Sequence, residues 1–194
     1  MKRICVFAGS NAGVDDAYRR VAISLADALA VRGIELVYGG GCIGLMGVLA
    51  DAMLARGGRV IGVIPETLMV REVGHRGLTD LKVVDSMHER KATMAALSDG
   101  FIALPGGFGT LEELFEVLTW AQLGLHGHPC GVLNVAGYFD ALLAFLDHAR
   151  GQGFVRDVHH EMLLVDDAAP RLLDRFAGYR APAVAKWLTR SAQT

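Results

Sequence analysis

The chain has 194 residues, of which 52% are hydrophobic and 7% aromatic, with 24 glycines and a formal net charge of −2. Such a length supports one well-buried core and reads as a single domain across 1–194. The near-neutral charge, with no basic run and no aromatics interleaved among Lys and Arg, argues against a nucleic-acid surface. Every apolar stretch is interrupted well before the roughly 18 residues a membrane span needs, and the apolar run from Ile4 to Ala8 is too short for a signal peptide. Cys5, Cys42 and Cys130 are far apart in apolar or glycine-rich sequence, and read as reduced, buried thiols of a cytosolic protein.

In chain order, a strand at 3–8 runs into Gly9-Ser10-Asn11-Ala12-Gly13 and a helix near 15–31 follows. A second strand at 34–38 runs into Gly39-Gly40-Gly41-Cys42-Ile43-Gly44, then a helix near 45–56 and a strand at 59–64. The long loop 65–80 carries Glu66, Arg71, Glu72, His75 and Arg76; it is either a rim over a ligand or subunit contact, or an ordinary charged loop. After a strand at 81–84, Ser86 and Glu89 form a capping box for a helix near 87–97. Arg90 stands three after Met87, four before Met94 and seven before Leu97, so a guanidinium interrupts the apolar stripe of that helix. An Arg turned towards a core needs an anion, a carboxylate or a ligand; the bland alternative is a structural ion pair or a snorkelling side chain. Lys91 belongs at the rim, either reaching a phosphate or simply solvated.

The buried strand expected at 101–104 leads into Pro105-Gly106-Gly107-Phe108-Gly109-Thr110-Leu111-Glu112-Glu113, ahead of a helix near 111–125. Closely spaced glycines let the backbone approach a ligand, and the N–H groups of a helix start favour an anion. Thr110 and Glu113 also fit a capping box; following the glycine run, they fit a phosphate site with an acid one turn deeper. Glu116 is expected in solvent, whereas Glu112 has the reach to bond a ligand hydroxyl. Beyond come strands at 131–135 and 162–165, with helices near 138–149, 170–176 and 182–188.

Strands separated by helices of this length imply parallel crossovers, hence an α/β doubly wound, mainly parallel sheet with helices on both faces. The glycine clusters then fall at the carboxyl ends of strands, where such sheets bind ligands. None is a G-x-G-x-x-G fingerprint or a Walker A loop, and no Gly-x-Ser-x-Gly elbow occurs. His126-Gly127-His128 and His159-His160 lack zinc spacing, so no metal is expected. Met46, Met69, Met94 and Trp120 either line a base pocket or fill the core, with core the default.

Tyr38-Gly39-Gly40-Gly41 with Gly44-Leu45-Met46-Gly47, Met87-His88-Glu89-Arg90-Lys91, and the run from Pro105 to Glu113 together resemble the LOG ("lonely guy") family of cytokinin riboside 5′-monophosphate phosphoribohydrolases. The resemblance runs from the first strand to Leu125. It implies Arg90 and Glu113 as a catalytic pair, and substrate binding by Glu72, Lys91, Gly106, Gly107, Phe108, Gly109, Thr110, Leu111 and Glu112, with Arg90 also at a nucleotide-binding position. It further implies a homodimer of Rossmann-like subunits with the active site near their contact. The expected reaction is hydrolysis of the N-glycosidic bond of an N6-modified adenosine 5′-monophosphate by a cytoplasmic enzyme without cofactor. Two rivals are a carrier of a phosphorylated cofactor, such as the molybdenum-cofactor carriers, and a general purine-monophosphate nucleosidase. Members are often labelled lysine decarboxylases, yet a pyridoxal phosphate enzyme needs a Schiff-base lysine with an acidic partner for the ring nitrogen. Lys2, Lys82, Lys91 and Lys186 are the only lysines, none in such a setting.

Overall fold

The computed structural model describes residues 1–69 and 74–182. Strands Arg3–Phe7 (β1), Glu35–Tyr38 (β2), Val60–Pro65 (β3), Asp80–Val84 (β4), Phe101–Ala103 (β5), Cys130–Leu133 (β6) and Leu163–Asp166 (β7) form one parallel sheet in the order β4-β3-β2-β1-β5-β6-β7. Helices Asp16–Val31 (α1), Gly44–Ala55 (α2), Glu66–Met69 (α3), Met87–Ala96 (α4), Phe108–Gln122 (α5), Asp140–Gly151 (α6), Asp157–His160 (α7) and Ala169–Gly178 (α8) connect and cover it. The chain starts in mid-sheet, builds outward through β4, then returns to the other side of β1. Connections therefore diverge between β1 and β5, which opens a crevice at the carboxyl ends of those strands.

Alternation along β1 divides the core. Ile4, Val6 and Ala8 face a layer containing Val21, Leu25 and Leu29 of α1, Leu45 and Leu49 of α2, and Leu172 and Phe176 of α8. Cys5 and Phe7 face the opposite layer with Val37, Phe101, Met94 of α4, and Leu114 and Val117 of α5. Both faces of the inner strands are covered, which is why their sequences lack polar alternation.

The expected strands all form. Asp15 caps α1 by accepting the Ala17 N–H at 2.8 Å. Ser86 caps α4, its Oγ accepting the Glu89 N–H at 3.1 Å, while the Glu89 carboxylate accepts the Asp85 N–H at 2.9 Å, one residue short of the expected reciprocal bond. α5 begins at Phe108 and not at 111, because Gly107 takes the extended cap conformation (φ −88°, ψ −153°). The expected loop 65–80 contains the short helix α3. Arg71 and Glu72, and the helix expected near 182–188 from residue 183 onward, lie outside the described residues. Cys5 and Cys130 are buried free thiols, and burial pushes Cys130 up to about 12. Cys42 is only half-buried, against expectation, since it sits in the turn between β2 and α2. No helix among the described residues is long and apolar enough to cross a membrane.

Candidate active site

The glycine turns that end β1 and β5 are tied together, Gly9 N donating to Pro105 O at 3.0 Å, and Leu45 N at the start of α2 donates to Gly9 O at 3.0 Å. Beside these turns lies a cleft of about 290 Å³. One wall is the first turns of α5, from Gly107 through Thr110 to Glu113; the other includes Met46, Leu68, Met87 and Arg90.

Arg90 reaches the cleft from α4 and is only 6% exposed. Its Nε donates to Val63 O at 3.1 Å and its Nη2 to Gly39 O at 2.9 Å, with Nη1 3.8 Å from the Met87 sulfur. A buried guanidinium is tolerated when its donors are satisfied; here the main chain of β3 and the turn after β2 does so. Neither an ion pair among the described residues nor a snorkelling side chain accounts for it. The close approach depends on Gly39: a Cβ there would stand 2.0 Å from Nη2. Gly39→Ala is therefore expected to displace Arg90, lowering the melting temperature by several degrees and impairing whatever the cleft does. Thermal denaturation together with an activity assay checks it; a variant matching the parent in both would show that the guanidinium relocates freely.

α5 starts without a side-chain cap, and Phe108 in its first turn is 94% exposed. Its first N–H groups have no intrahelical acceptor, so this end of the cleft favours an anion. The capping-box alternative for Thr110 and Glu113 is excluded: Gly107 is the cap, and Thr110 lies inside the first turn. Thr110 is buried against Gly106, where a Cβ would come within 2.1 Å of Thr110 Oγ1. Gly106 O accepts a 2.7 Å hydrogen bond from the Tyr138 hydroxyl, which braces the turn from the far side.

Glu113 lies one turn further along α5. Its carboxyl makes no hydrogen bond or ion pair with any described residue, although it lines the cleft. Burial pushes its pKa up to about 7, against the lowering influence of the nearby Arg90 charge. A carboxyl poised near neutrality, without a partner among the described residues, and beside a buried cation is the arrangement of a group that exchanges protons with a bound molecule.

Lys91 does not stand free at the rim. Its Nζ lies 2.5 Å from Glu112 and 3.0 Å from Glu116, and the hydrogen bond with Glu112 raises its pKa. Glu116 is consequently half-buried in an ion pair and not simply solvated, contrary to expectation.

Of the residues expected at a site, Arg90, Gly107, Phe108, Gly109, Thr110, Glu112 and Glu113 share the cleft. Gly106 faces an adjoining hollow with Ser10, Asn11, Tyr18 and Tyr138. The Leu111 side chain packs on the core, Lys91 stands behind Glu113, and Glu72 is outside the described residues. Met94 fills the core as expected, whereas Met46 is buried and also lines the cleft. Trp120 borders a separate cavity with His126 and His128. His126 engages both ring nitrogens, one with Val117 O at 2.9 Å and one accepting the His128 N–H at 3.1 Å. Sequence reasoning missed the seat that Gly39 provides for Arg90, and the walls supplied by Leu68 and Met87. The triple glycine after β2 signalled a close approach but not its partner.

A family described as "Possible lysine decarboxylase" matches residues 46–176. The "Probable cytokinin riboside 5′-monophosphate phosphoribohydrolase LOGL9" of Oryza sativa subsp. japonica is 51% identical over 178 residues, which are 92% of this chain and 78% of the relative. The "Cytokinin riboside 5′-monophosphate phosphoribohydrolase LOG1" of Arabidopsis thaliana is 51% identical, covering 92% of this chain and 84% of the relative. Among solved structures, the molybdenum cofactor carrier protein of Chlamydomonas reinhardtii superposes with a TM-score of 0.67 at 19% identity, over 92% of this chain and 99% of that one. The molybdenum cofactor binding protein of Rippkaea orientalis gives a TM-score of 0.67 at 20% identity, over 92% and 96%. The structural likeness establishes a shared Rossmann-like fold, and the sequence identity to the plant proteins is far closer. The chain belongs to the LOG family, within the wider group described as possible lysine decarboxylases.

Proposed function

We propose that this protein hydrolyses the N-glycosidic bond of N6-modified adenosine 5′-monophosphates, releasing the free base, a cytokinin, and ribose 5-phosphate. The observation that carries the reading is the Glu113 carboxyl, unpaired among the described residues and pushed up to about 7 by burial, beside the main-chain-anchored Arg90 at an anion-favouring helix start. The names of the plant relatives support the substrate class.

In this reading the first N–H groups of α5 and the Thr110 hydroxyl donate to the 5′-phosphate, so a nucleoside without phosphate is a poor substrate. Met46, Leu68 and Met87 offer an apolar surface to the base and its substituent. As the bond from C1′ to the base nitrogen breaks, positive charge develops on the ribosyl ring, which the Glu113 carboxylate stabilises. Glu113 then takes a proton from the attacking water, whose oxygen bonds to C1′, while the base leaves with the bonding electron pair; the leaving base takes a proton from solvent and Glu113 later releases its own to solvent, which restores the carboxylate. Arg90 helps to keep Glu113 ionised and orients the phosphate or the departing base. No metal or organic cofactor enters the scheme. Among the described residues decarboxylation through pyridoxal phosphate has no evident lysine: Lys91 is held by two carboxylates, Lys82 pairs with Asp80 and Lys2 is exposed ahead of β1, while Lys186 lies outside the described residues. We further infer one Rossmann-like domain, a cytoplasmic location, and a homodimer with the active site near the subunit contact, as the family resemblance implies.

Chromatography of products after incubation with N6-isopentenyl-AMP, AMP and N6-isopentenyladenosine is the test. Free base is expected from the monophosphates and not from the nucleoside, with the modified nucleotide turned over faster. Equal or faster use of AMP would make the protein a general nucleosidase, and ligand binding without product from any of them would make it a carrier.

A further inference from the structure

Behind Glu113, on the side away from the cleft, is a cavity of about 10 Å³, bordered by Lys91, Glu113 and Glu116. The buried Phe7, Phe101, Met94 and Val117, with the partly buried Ala95, complete its walls. That space is of the size that accommodates one water molecule. Three ionisable side chains thus share a small chamber in an otherwise apolar layer, and two of them, Lys91 and Glu116, are ion-paired at 3.0 Å. We propose that Glu116 is a positioning residue: it holds Lys91 at the back of Glu113, and the pair sets how readily Glu113 gives and takes a proton.

Glu116 lies three residues after Glu113, so the two carboxyls occupy neighbouring places on one face of α5. Lys91 comes from α4 and is only 13% exposed at its side chain, so little solvent screens the set. Among the described residues, the charged and titratable groups facing Glu113 are Arg90 and Lys91 of α4, Glu112 and Glu116 of α5, and the Cys5 thiol of β1. Arg90 and Lys91 favour the carboxylate; Glu112 and Glu116 oppose it. Glu112 borders the cleft and meets any ligand there, whereas Glu116 is not among the described residues that line the cleft and borders the rear chamber. Glu116 therefore acts on Glu113 without touching a substrate. The advantage rests on the proposed hydrolysis: a group that accepts a proton from water and returns it works best with its pKa near the working pH.

Removing the Glu116 charge leaves Lys91 less compensated, and both changes favour ionised Glu113. Carbon-13 NMR titration of the side-chain carboxyls, with the Glu113 signal assigned by its absence in Glu113→Gln, is the direct test. In Glu116→Gln the Glu113 midpoint is expected to fall by roughly 0.5 to 1 pH unit. Lys91→Met is expected to move it the other way, and carries the test should Glu116→Gln fold poorly. Unmoved midpoints in the folded variants would overturn the proposal. On the enzyme, the acid limb of kcat/KM should shift downward with Glu116→Gln, making the variant more active than the parent at acid pH; a lowered rate with an unmoved limb would reduce Glu116 to a structural role. The titration needs no turnover, so moved midpoints in a protein that releases no base would uphold the charge set while refuting the hydrolase.

Discussion

Glu113→Gln is expected to lower turnover by a factor on the order of 10² or more, the usual contribution of a general acid or base, while the folded protein becomes more stable at neutral and alkaline pH. The sign of the second effect follows from the raised pKa. In the unfolded chain Glu113 ionises near its ordinary 4.5, whereas in the fold it holds its proton until about 7. Between those values the native state binds the extra proton, so stability falls as pH rises through the window and stays lowered above it. The expected penalty above pH 7 is roughly 3 kcal/mol at most, and the neutral amide escapes the ionisation cost. Denaturant titrations of parent and variant at pH 5 and pH 8, beside single-turnover kinetics, separate chemistry from folding. A variant with undiminished turnover would remove Glu113 from the mechanism; one destabilised at pH 8 would mean that the carboxylate has native partners which repay its burial.

Arg90→Ala should be damaging in both respects. Truncation leaves the carbonyls of Val63 and Gly39 without their guanidinium donor, at about 1 to 3 kcal/mol for each group left unsatisfied. It also removes the nearby cation that favours ionised Glu113, so the acid limb of the activity profile should move to higher pH than in the parent. Catalytic efficiency is expected to fall by a factor on the order of 10² or more, equivalent to about 3 kcal/mol of transition-state stabilisation, together with a lower melting temperature. Arg90→Lys keeps the charge but lacks the fork that spans two carbonyls, and should recover the limb position better than the stability. A destabilised Arg90→Ala protein with unchanged catalytic efficiency and pH profile would confine the residue to holding β2 and β3 together.

The parallel sheet was legible because hydrophobic runs, glycine turns and helical spacings agreed with one another along the chain. The cleft was legible in outline for the same reason: glycine clusters after strands mark carboxyl ends, and the break that Arg90 makes in an apolar stripe marks a demand for partners. What the sequence concealed was pairing across space. Nothing in the local pattern says that Arg90 meets main-chain oxygens 27 and 51 residues away. Nor does it say that Lys91 turns towards α5 and not towards solvent. The start of α5 was misplaced by three residues because glycine is weighed as a helix breaker, while in the first turn the exposed N–H groups of Gly107 to Gly109 are what such a site requires.

The anchoring of Arg90 by carbonyl oxygens has a practical corollary. Every residue type carries a main-chain carbonyl, so the two hydrogen bonds that hold the guanidinium do not depend on which side chain stands at position 63. Met46 and Leu68 can drift, or be redesigned to accept bulkier or more polar substituents, without loosening that grip, provided that position 39 remains glycine; Met87, whose sulfur lies 3.8 Å from Nη1, also touches the guanidinium. Catalytic geometry and ligand preference are thereby carried largely by separable parts of the chain, and a library varied at positions 46 and 68 is a sound starting point for altering selectivity.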